Sequence, residues 1–350
     1  MLQADFFKYN LKFSMPGKTS RGTLHEKRSW FLQVSDPERK IVSHGECSLI
    51  PGLSIDNSPD FPILLKNLVD EIRVNDFPNP NKFIDYPSIR FGLEMLIMDF
   101  ENGGNKVLFP SPFTRGEETI PINGLIWMAD KENTRAQVKA KLDEGYRVIK
   151  LKIGGLSFED ELDILKEIRK NFSAEDLEIR TDANGAFDPE TALEKLKKLS
   201  GYQVHSIEQP IKAGQWEAMA DLSEHSPVPV VLDEELIGIH DTRTRKKLIE
   251  AIQPAYIVVK PSLLGGIESS NEWIKIAGEE GTGYWVTSAL ESNIGLNALA
   301  QWAYTLNNAK IVHGLGTGQI YENNIHSPLI LEADKLRFNP ERHWDFSIFK

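Results

Sequence analysis

The chain has 350 residues, 41% of them hydrophobic, enough to bury a substantial core and, by length alone, to form about two domains. Its 51 acidic against 40 basic residues give a net charge of -11 with no basic block, which argues against a nucleic-acid groove or a membrane-surface stripe. The single cysteine, Cys47, excludes an intrachain disulfide and offers no thiolate cluster for zinc.

In chain order, the opening MLQADFFKYNLKF alternates and carries lysines where a signal peptide would be continuously apolar. No stretch has the length of a membrane span, so the expectation is a soluble, cytoplasmic protein. FFKYNLKF, SWFLQV and KIVSHGECSLI read as an antiparallel meander, with MPGKTSRG between the first two as a loop able to close over a site or as a plain hairpin turn. PILLKNLVDEIR and SIRFGLEMLIMDF read as helices. From about residue 120 short apolar runs alternate with amphipathic helical segments: INGLIWM then TRAQVKAKLDEG, YRVIKLKI then SFEDELDILKEIRKNF, LEIRTD then DPETALEKLKKLSG. Ser157 with Asp160 resembles a capping box, and Asp188 before Pro189 supplies an N-cap with proline at the first helical position. VHSIEQ, VPVVLDE, YIVVKP, GYWVTS and AKIVHG bring the apolar runs to eight, the pattern of a (β/α)8-type barrel. The expected division is an N-terminal α+β capping domain over 1–115, the barrel over 116–320, and a segment over 321–350 that packs back on the capping domain.

A barrel concentrates chemistry at the C-terminal ends of its strands. In VIKLKIGG, Lys150 and Lys152 share one strand face while Ile149, Leu151 and Ile153 share the other, a pattern that a half-exposed antiparallel strand would also show. The following strands distinguish the two readings. Asp182 closes LEIRTD, Glu208 closes VHSIE, Asp233 follows VPVVL and Lys260 follows YIVV, so ionisable groups end five successive apolar runs at the repeat spacing.

One carboxylate in such a place is often only the N-cap of the next helix. Three on consecutive strands make a concentrated negative site that requires a cation, and oxygen-only donors favour Mg²⁺, with Mn²⁺ the alternative. Beside a metal and a second ammonium, a partly buried lysine loses its proton readily and can act as a base. Lys150 would keep its charge and disfavour a second one, which makes Lys152, nearer the strand end, the better base.

The ordered set KLK, RTDAN, EQP, LDEE and VVKPSLLGG resembles the muconate lactonizing subgroup of the enolase superfamily. The resemblance covers nearly the whole chain, because these proteins also carry an N-terminal α+β cap. KTSRGTLHEKRSWFLQV, GECSLIPGLS, SALESNIGLNALAQWAY and GLGTGQIYENN most resemble the subgroup's dehydratase branch, which serves menaquinone biosynthesis. That likeness implies loss of water from SHCHC, a cyclohexadiene carboxylate bearing a succinyl chain and a ring hydroxyl. It also implies Mg²⁺ on Asp182, Glu208 and Asp233, proton abstraction by Lys152 next to the ring carboxylate, and a cationic Lys260 stabilising the ene-diolate.

The resemblance makes Arg180 and Asn184 substrate contacts, although a structural salt bridge or cap would suit either residue. Ser288 would bind the succinyl carboxylate or cap the following helix, and Glu234 would partner Lys260 or sit in solvent on a turn. His313 is left out of the site. On the same scaffold, an N-succinylamino acid racemase or dipeptide epimerase would use the lysine pair as two bases, and muconate cycloisomerase is a further relative. From another class, a non-catalytic metal- or ligand-binding barrel would bind without exchanging an alpha-proton. The implied partner is a small-molecule carboxylate, with no nucleic acid and no membrane; a homo-oligomer is compatible with the sequence.

Overall fold

A computed structural model of the chain describes residues 1–19, 22–306 and 311–349. It opens with a three-stranded antiparallel sheet of β1 (Gln3–Thr19), β2 (Gly22–Asp36) and β3 (Ile41–Ser48), in that order. The expected loop over MPGKTSRG is the tip of the long β1–β2 hairpin, and its residues 20 and 21 lie outside the described residues. Alternating apolar residues of β2, among them Trp30, Leu32 and Val34, form one core with helices α1 (Phe61–Asn75) and α2 (Pro87–Glu101). In α1, Phe61, Leu65, Leu68, Val69 and Ile72 recur at helical spacing on the buried side. The sheet and α2 approach closely: a β-carbon on Gly45 would lie 2.0 Å from the Gly92 carbonyl oxygen.

A short strand, β4 (Thr119–Pro121), leads into the repeating part. There β5 (Gly124–Ile126), α3 (Lys131–Asp143), β6 (Val148–Lys152), α4 (Phe158–Asn171), β7 (Glu178–Asp182), α5 (Pro189–Ser200), β8 (Ser206–Glu208) and α6 (Trp216–His225) follow in turn. They continue with β9 (Val230–Leu232), α7 (Thr242–Ile252), β10 (Tyr256–Val259), α8 (Pro261–Leu264), α9 (Gly266–Glu279), β11 (Gly283–Val286) and α10 (Asn293–Thr305). The seven strands β5 to β11 are hydrogen-bonded in sequence order and all parallel. Such connections need crossovers, and the amphipathic helices supply them while covering the outer face of the sheet.

Among the described residues of the eighth strand expected from AKIVHG, two form isolated bridges. His313 bridges to Ile122 and Gly314 to Thr287, which joins the two edges of the sheet; residues 309 and 310 of that run lie outside the described residues. His313 is neutral here, with Nδ1 accepting from the Val286 N–H at 3.0 Å; burial and the nearby Arg180 lower its pKa to about 4. Ser157 caps α4 as expected, its hydroxyl accepting from Asp160 N at 3.2 Å. Asp188 occupies the N-cap of α5 without a side-chain bond, so Pro189 is the signal there that matters.

The C-terminal segment divides instead of lying on the cap throughout. Strands β12 (Leu329–Glu332) and β13 (Lys335–Phe338) pair with each other, β13 also pairs with β4, and Leu336 and Phe338 of β13 join the barrel core. Beyond them Phe346 and Phe349 stack on His44 of the cap. No helix among the described residues is long and apolar enough to cross a membrane.

Candidate active site

Register places the chemistry. Lys152 pairs with Asp182 across β6 and β7, and Asp182 pairs with Glu208 across β7 and β8. Because side chains alternate, Ile149 and Leu151 point to the helices while Lys150 and Lys152 point into the lumen. Asp233 and Lys260 begin the turns after β9 and β10, so all six groups meet at one end of the barrel. Asp182, Glu208 and Asp233 are each at most 2% exposed.

Lys150 Nζ donates to both oxygens of Glu208 at 2.6 Å and lies 2.8 Å from Asp182 Oδ2. Lys152 Nζ donates to Asp182 Oδ2 at 2.5 Å and to Asn184 Oδ1 at 2.9 Å. Lys260 pairs with Asp233, and its ammonium is 3.9 Å from Glu208 Oε1. Burial pulls each lysine pKa down, and the balance with neighbouring charges differs. Asp182 and Glu208 hold Lys150 above its ordinary value, and Asp233 and Glu208 do the same for Lys260. At Lys152, burial together with the ammonium groups of Lys150 and Lys260 outweighs Asp182, so its pKa is lowered. Lys152 is the one of the three poised towards the neutral amine.

Burial and the charges of Asp182 and Asp233 drive the Glu208 pKa well up, against the pull of Lys150 and Lys260. Lys150 donates to both oxygens of Glu208, so ammonium groups lie against all three carboxyl groups. Among the described residues no three His, Cys, Asp or Glu side chains are gathered as a ready-made metal cage. The donor chemistry nevertheless fits a hard divalent ion: three buried carboxylates on adjacent strands offer only oxygen, and an ion would compete with the lysines for those atoms.

The three lysines floor a cavity of about 280 Å³ that Asn184 and Ser288, among others, also line. Leu24 and Ile50 of the cap, with Trp127 and Leu290 of the barrel, give it apolar walls, and Asn123 and Thr317 add polar groups. Ser288 Oγ shares a hydrogen bond with Thr317 Oγ1 at 2.7 Å, and the residue that caps the following helix is Ser292. Asn184, at φ 46°, also donates to Glu234 Oε1 at 3.0 Å. The charge of Glu234 contributes to raising the Lys260 pKa.

Arg180, expected as a substrate contact, is not among the residues that line this cavity. Its Nε donates to Glu178 Oε1 at 2.7 Å, its Nη1 donates to the Val312 carbonyl at 2.9 Å, and its guanidinium lies 4.4 Å from the Trp285 ring centre. Arg180 is in register with Lys150, but these bonds turn its guanidinium to Glu178 and Val312, whereas the Lys150 ammonium extends to Asp182 and Glu208. Sequence reasoning passed over Gln209, whose Oε1 accepts from Asp233 N at 3.1 Å and from Glu235 N at 3.2 Å, locking the tip of β8 to the turn after β9. The EQP motif contains it. The apolar walls carried no comparable signal, since Trp127 and Leu290 look like core residues.

Residues 133–338 match the enolase C-terminal domain-like family, and the chain belongs to that family. The o-succinylbenzoate synthase of Desulfotalea psychrophila is 42% identical over 96% of this chain and 98% of its own. The MenC crystal structure from that organism superposes with a TM-score of 0.85 at 39% identity, covering 96% of this chain and 99% of the other. Within its family the chain therefore belongs with the o-succinylbenzoate synthases. A dipeptide epimerase from Cytophaga hutchinsonii, solved with Mg and a dipeptide, shares the fold with a TM-score of 0.82 at 17% identity over 98% of this chain and 96% of that one.

Proposed function

We propose that this protein dehydrates SHCHC to o-succinylbenzoate, with Lys152 as the acid–base residue and Asp182, Glu208 and Asp233 as ligands of a divalent ion, Mg²⁺ or Mn²⁺. The observation that carries the reading is the placement of Lys152 and Lys260, from strands four apart in a curled sheet, on one cavity above three buried carboxylates. The relative at 42% identity selects the dehydration among the reactions such a site can perform.

A proton next to a carboxylate is very weakly acidic, and its removal demands positive charge where the ene-diolate forms. Asp182, Glu208 and Asp233 would hold a divalent ion, which would supply Lewis-acid charge to the site. Lys152, as the neutral amine, takes the carbon-bound proton. The same ammonium then returns it to the departing hydroxyl: the C–O bond breaks, water leaves, and the ring electrons close the aromatic system. Lys260, held cationic by Asp233, faces the developing negative charge from the other wall. Lys150 keeps its proton and lowers the basicity of Lys152. The ring lies against the apolar walls, and the succinyl carboxylate reaches Ser288 and Thr317.

The test is incubation with Mg²⁺ and SHCHC while the aromatic product is followed spectroscopically. Product formation that stops on chelation supports the reading. Alpha-proton exchange of N-succinylamino acids with no turnover of SHCHC would replace it by the racemase.

A further inference from the structure

A second cluster of buried charge, unused by the reaction, joins the cap to the cavity wall. Lys27 on β2, Glu46 on β3 and Glu291 beyond β11 are at most 1% exposed. Lys27 Nζ donates to Ser29 Oγ at 2.9 Å, which donates to Glu46 Oε1 at 2.7 Å; the Lys27–Glu46 ion pair itself measures 3.9 Å. Glu46 then reaches across the domain boundary. It accepts from Ser292 N at 2.9 Å, Ser292 Oγ at 2.5 Å and Gly295 N at 2.9 Å, so a carboxylate of the cap satisfies the first turn of α10.

The segment entering that helix is tied at each residue. Ser48 Oγ of the cap donates to the Ala289 carbonyl at 3.1 Å, and Tyr321 Oη donates to the Leu290 carbonyl at 2.7 Å. Glu291 Oε1 accepts from Ser262 Oγ at 2.5 Å, two residues past Lys260. Its other oxygen has no hydrogen-bond partner among the described residues, and the Lys27 ammonium lowers its pKa against the effect of burial. Leu290, in the middle, has φ 59° and lines the cavity. A leucine holds that left-handed conformation only where its surroundings over-determine it.

We infer that Lys27 and Glu46 are positioning residues of the cap: they hold Leu290 and Ser288 against the substrate and, through Glu291 and Ser262, fix the turn that carries Lys260. Neither residue lines the cavity, and both act through the bend at 288–292. The kinetic half of this inference rests on the dehydratase reading; the mechanical half does not.

Backbone hydrogen exchange and steady-state kinetics of Glu46→Gln, Lys27→Met and Ser48→Ala, each with Mg²⁺, test it. Glutamine cannot accept on its amide nitrogen, so Glu46→Gln loses bonds to Ser292 or Gly295. Exchange over 288–295 should accelerate at least about tenfold while β7 and β8 stay protected. The KM for SHCHC should rise roughly tenfold, with a smaller fall in kcat. Ser48→Ala leaves the charges in place and should give the same local pattern more weakly. Adding Glu291→Gln to Lys27→Met replaces the buried carboxyl that has lost its ammonium neighbour by a neutral amide, keeps an acceptor for Ser262, and should recover at least half of the loss in kcat/KM. Unchanged exchange over 288–295, or faster exchange everywhere with unaltered KM, would overturn the inference. Exchange needs no substrate, so an unaltered protein that fails to turn over SHCHC would reject the dehydratase reading while this readout still decides the role of the clasp.

Discussion

Asp182 stands directly opposite Glu208 across β7 and β8, and Lys150 Nζ reaches both carboxylates, at 2.8 Å and 2.6 Å. Two buried carboxylates in register, with Asp233 beside them, tolerate one another only under shared positive charge. Calorimetric titration should therefore detect binding of Mg²⁺ or Mn²⁺, and Glu208→Gln should weaken it at least about tenfold, because one of three anionic donors becomes neutral. Exhaustive chelation should remove activity and either ion should restore it. Full turnover after chelation, or unaltered ion affinity in the variant, would contradict the ligand assignment.

The cap core has its own test. Any β-carbon on Gly45 meets the Gly92 carbonyl oxygen, a backbone atom that cannot swing aside. Gly45→Ala should destabilise the protein by roughly 2–3 kcal/mol or more, since overpacking against backbone forces the sheet from α2. Gly278, late in α9, is exposed and has nothing within reach of such a carbon. Gly278→Ala should be neutral or stabilise by up to about 1 kcal/mol through helix propensity. Urea midpoints of the two variants compared with wild type decide the matter.

Glu291 makes stability depend on pH. Burial, set against Lys27 and the Ser262 hydrogen bond, raises its pKa from 4.5 to about 7. The folded protein thus keeps a proton that an unfolded chain releases, and the stability from this group is full below pH 4.5 and lost as pH rises to about 7. Glutamine does not titrate. Relative to wild type, Glu291→Gln should gain up to roughly 3 kcal/mol of stability across that window. Denaturation at several pH values measures the difference, and a flat difference would show that Glu291 is ionised throughout.

Much of the fold and the floor of the site could be read directly from the residues. Lys152, Asp182, Glu208, Asp233 and Lys260 each end a short apolar run at the repeat spacing, and a barrel turns that spacing into one ring of side chains. Strand periodicity gives direction but not reach, which is why Arg180 shares a face with Asp182 yet turns its guanidinium to Glu178 and Val312. Among the described residues of the expected eighth strand only His313 and Gly314 form bridges, because an apolar run specifies an extended tendency and not the number of ladder bonds it forms. Trp127 and Leu290 have core composition, and their exposure to a cavity depends on how cap and barrel meet. The reach of Glu46 to α10 spans nearly 250 residues of sequence, and no local pattern encodes it.

The division of labour between Lys152 and Lys260 is the central claim, and turnover of SHCHC by two variants tests it most directly. Lys152→Ala removes the only group assigned to both proton transfers, whereas Lys260→Arg keeps a cation of altered shape that cannot act as a base. With Mg²⁺ present, Lys152→Ala should lose at least about a thousandfold in kcat, and Lys260→Arg should retain measurably more. Deuterium uptake by N-succinylamino acids in D₂O, followed in parallel, reports on two-base chemistry. Loss of racemisation in both variants, with the unaltered protein deuterating both enantiomers and leaving SHCHC unchanged, would contradict the account and identify the lysines as the paired bases of a racemase.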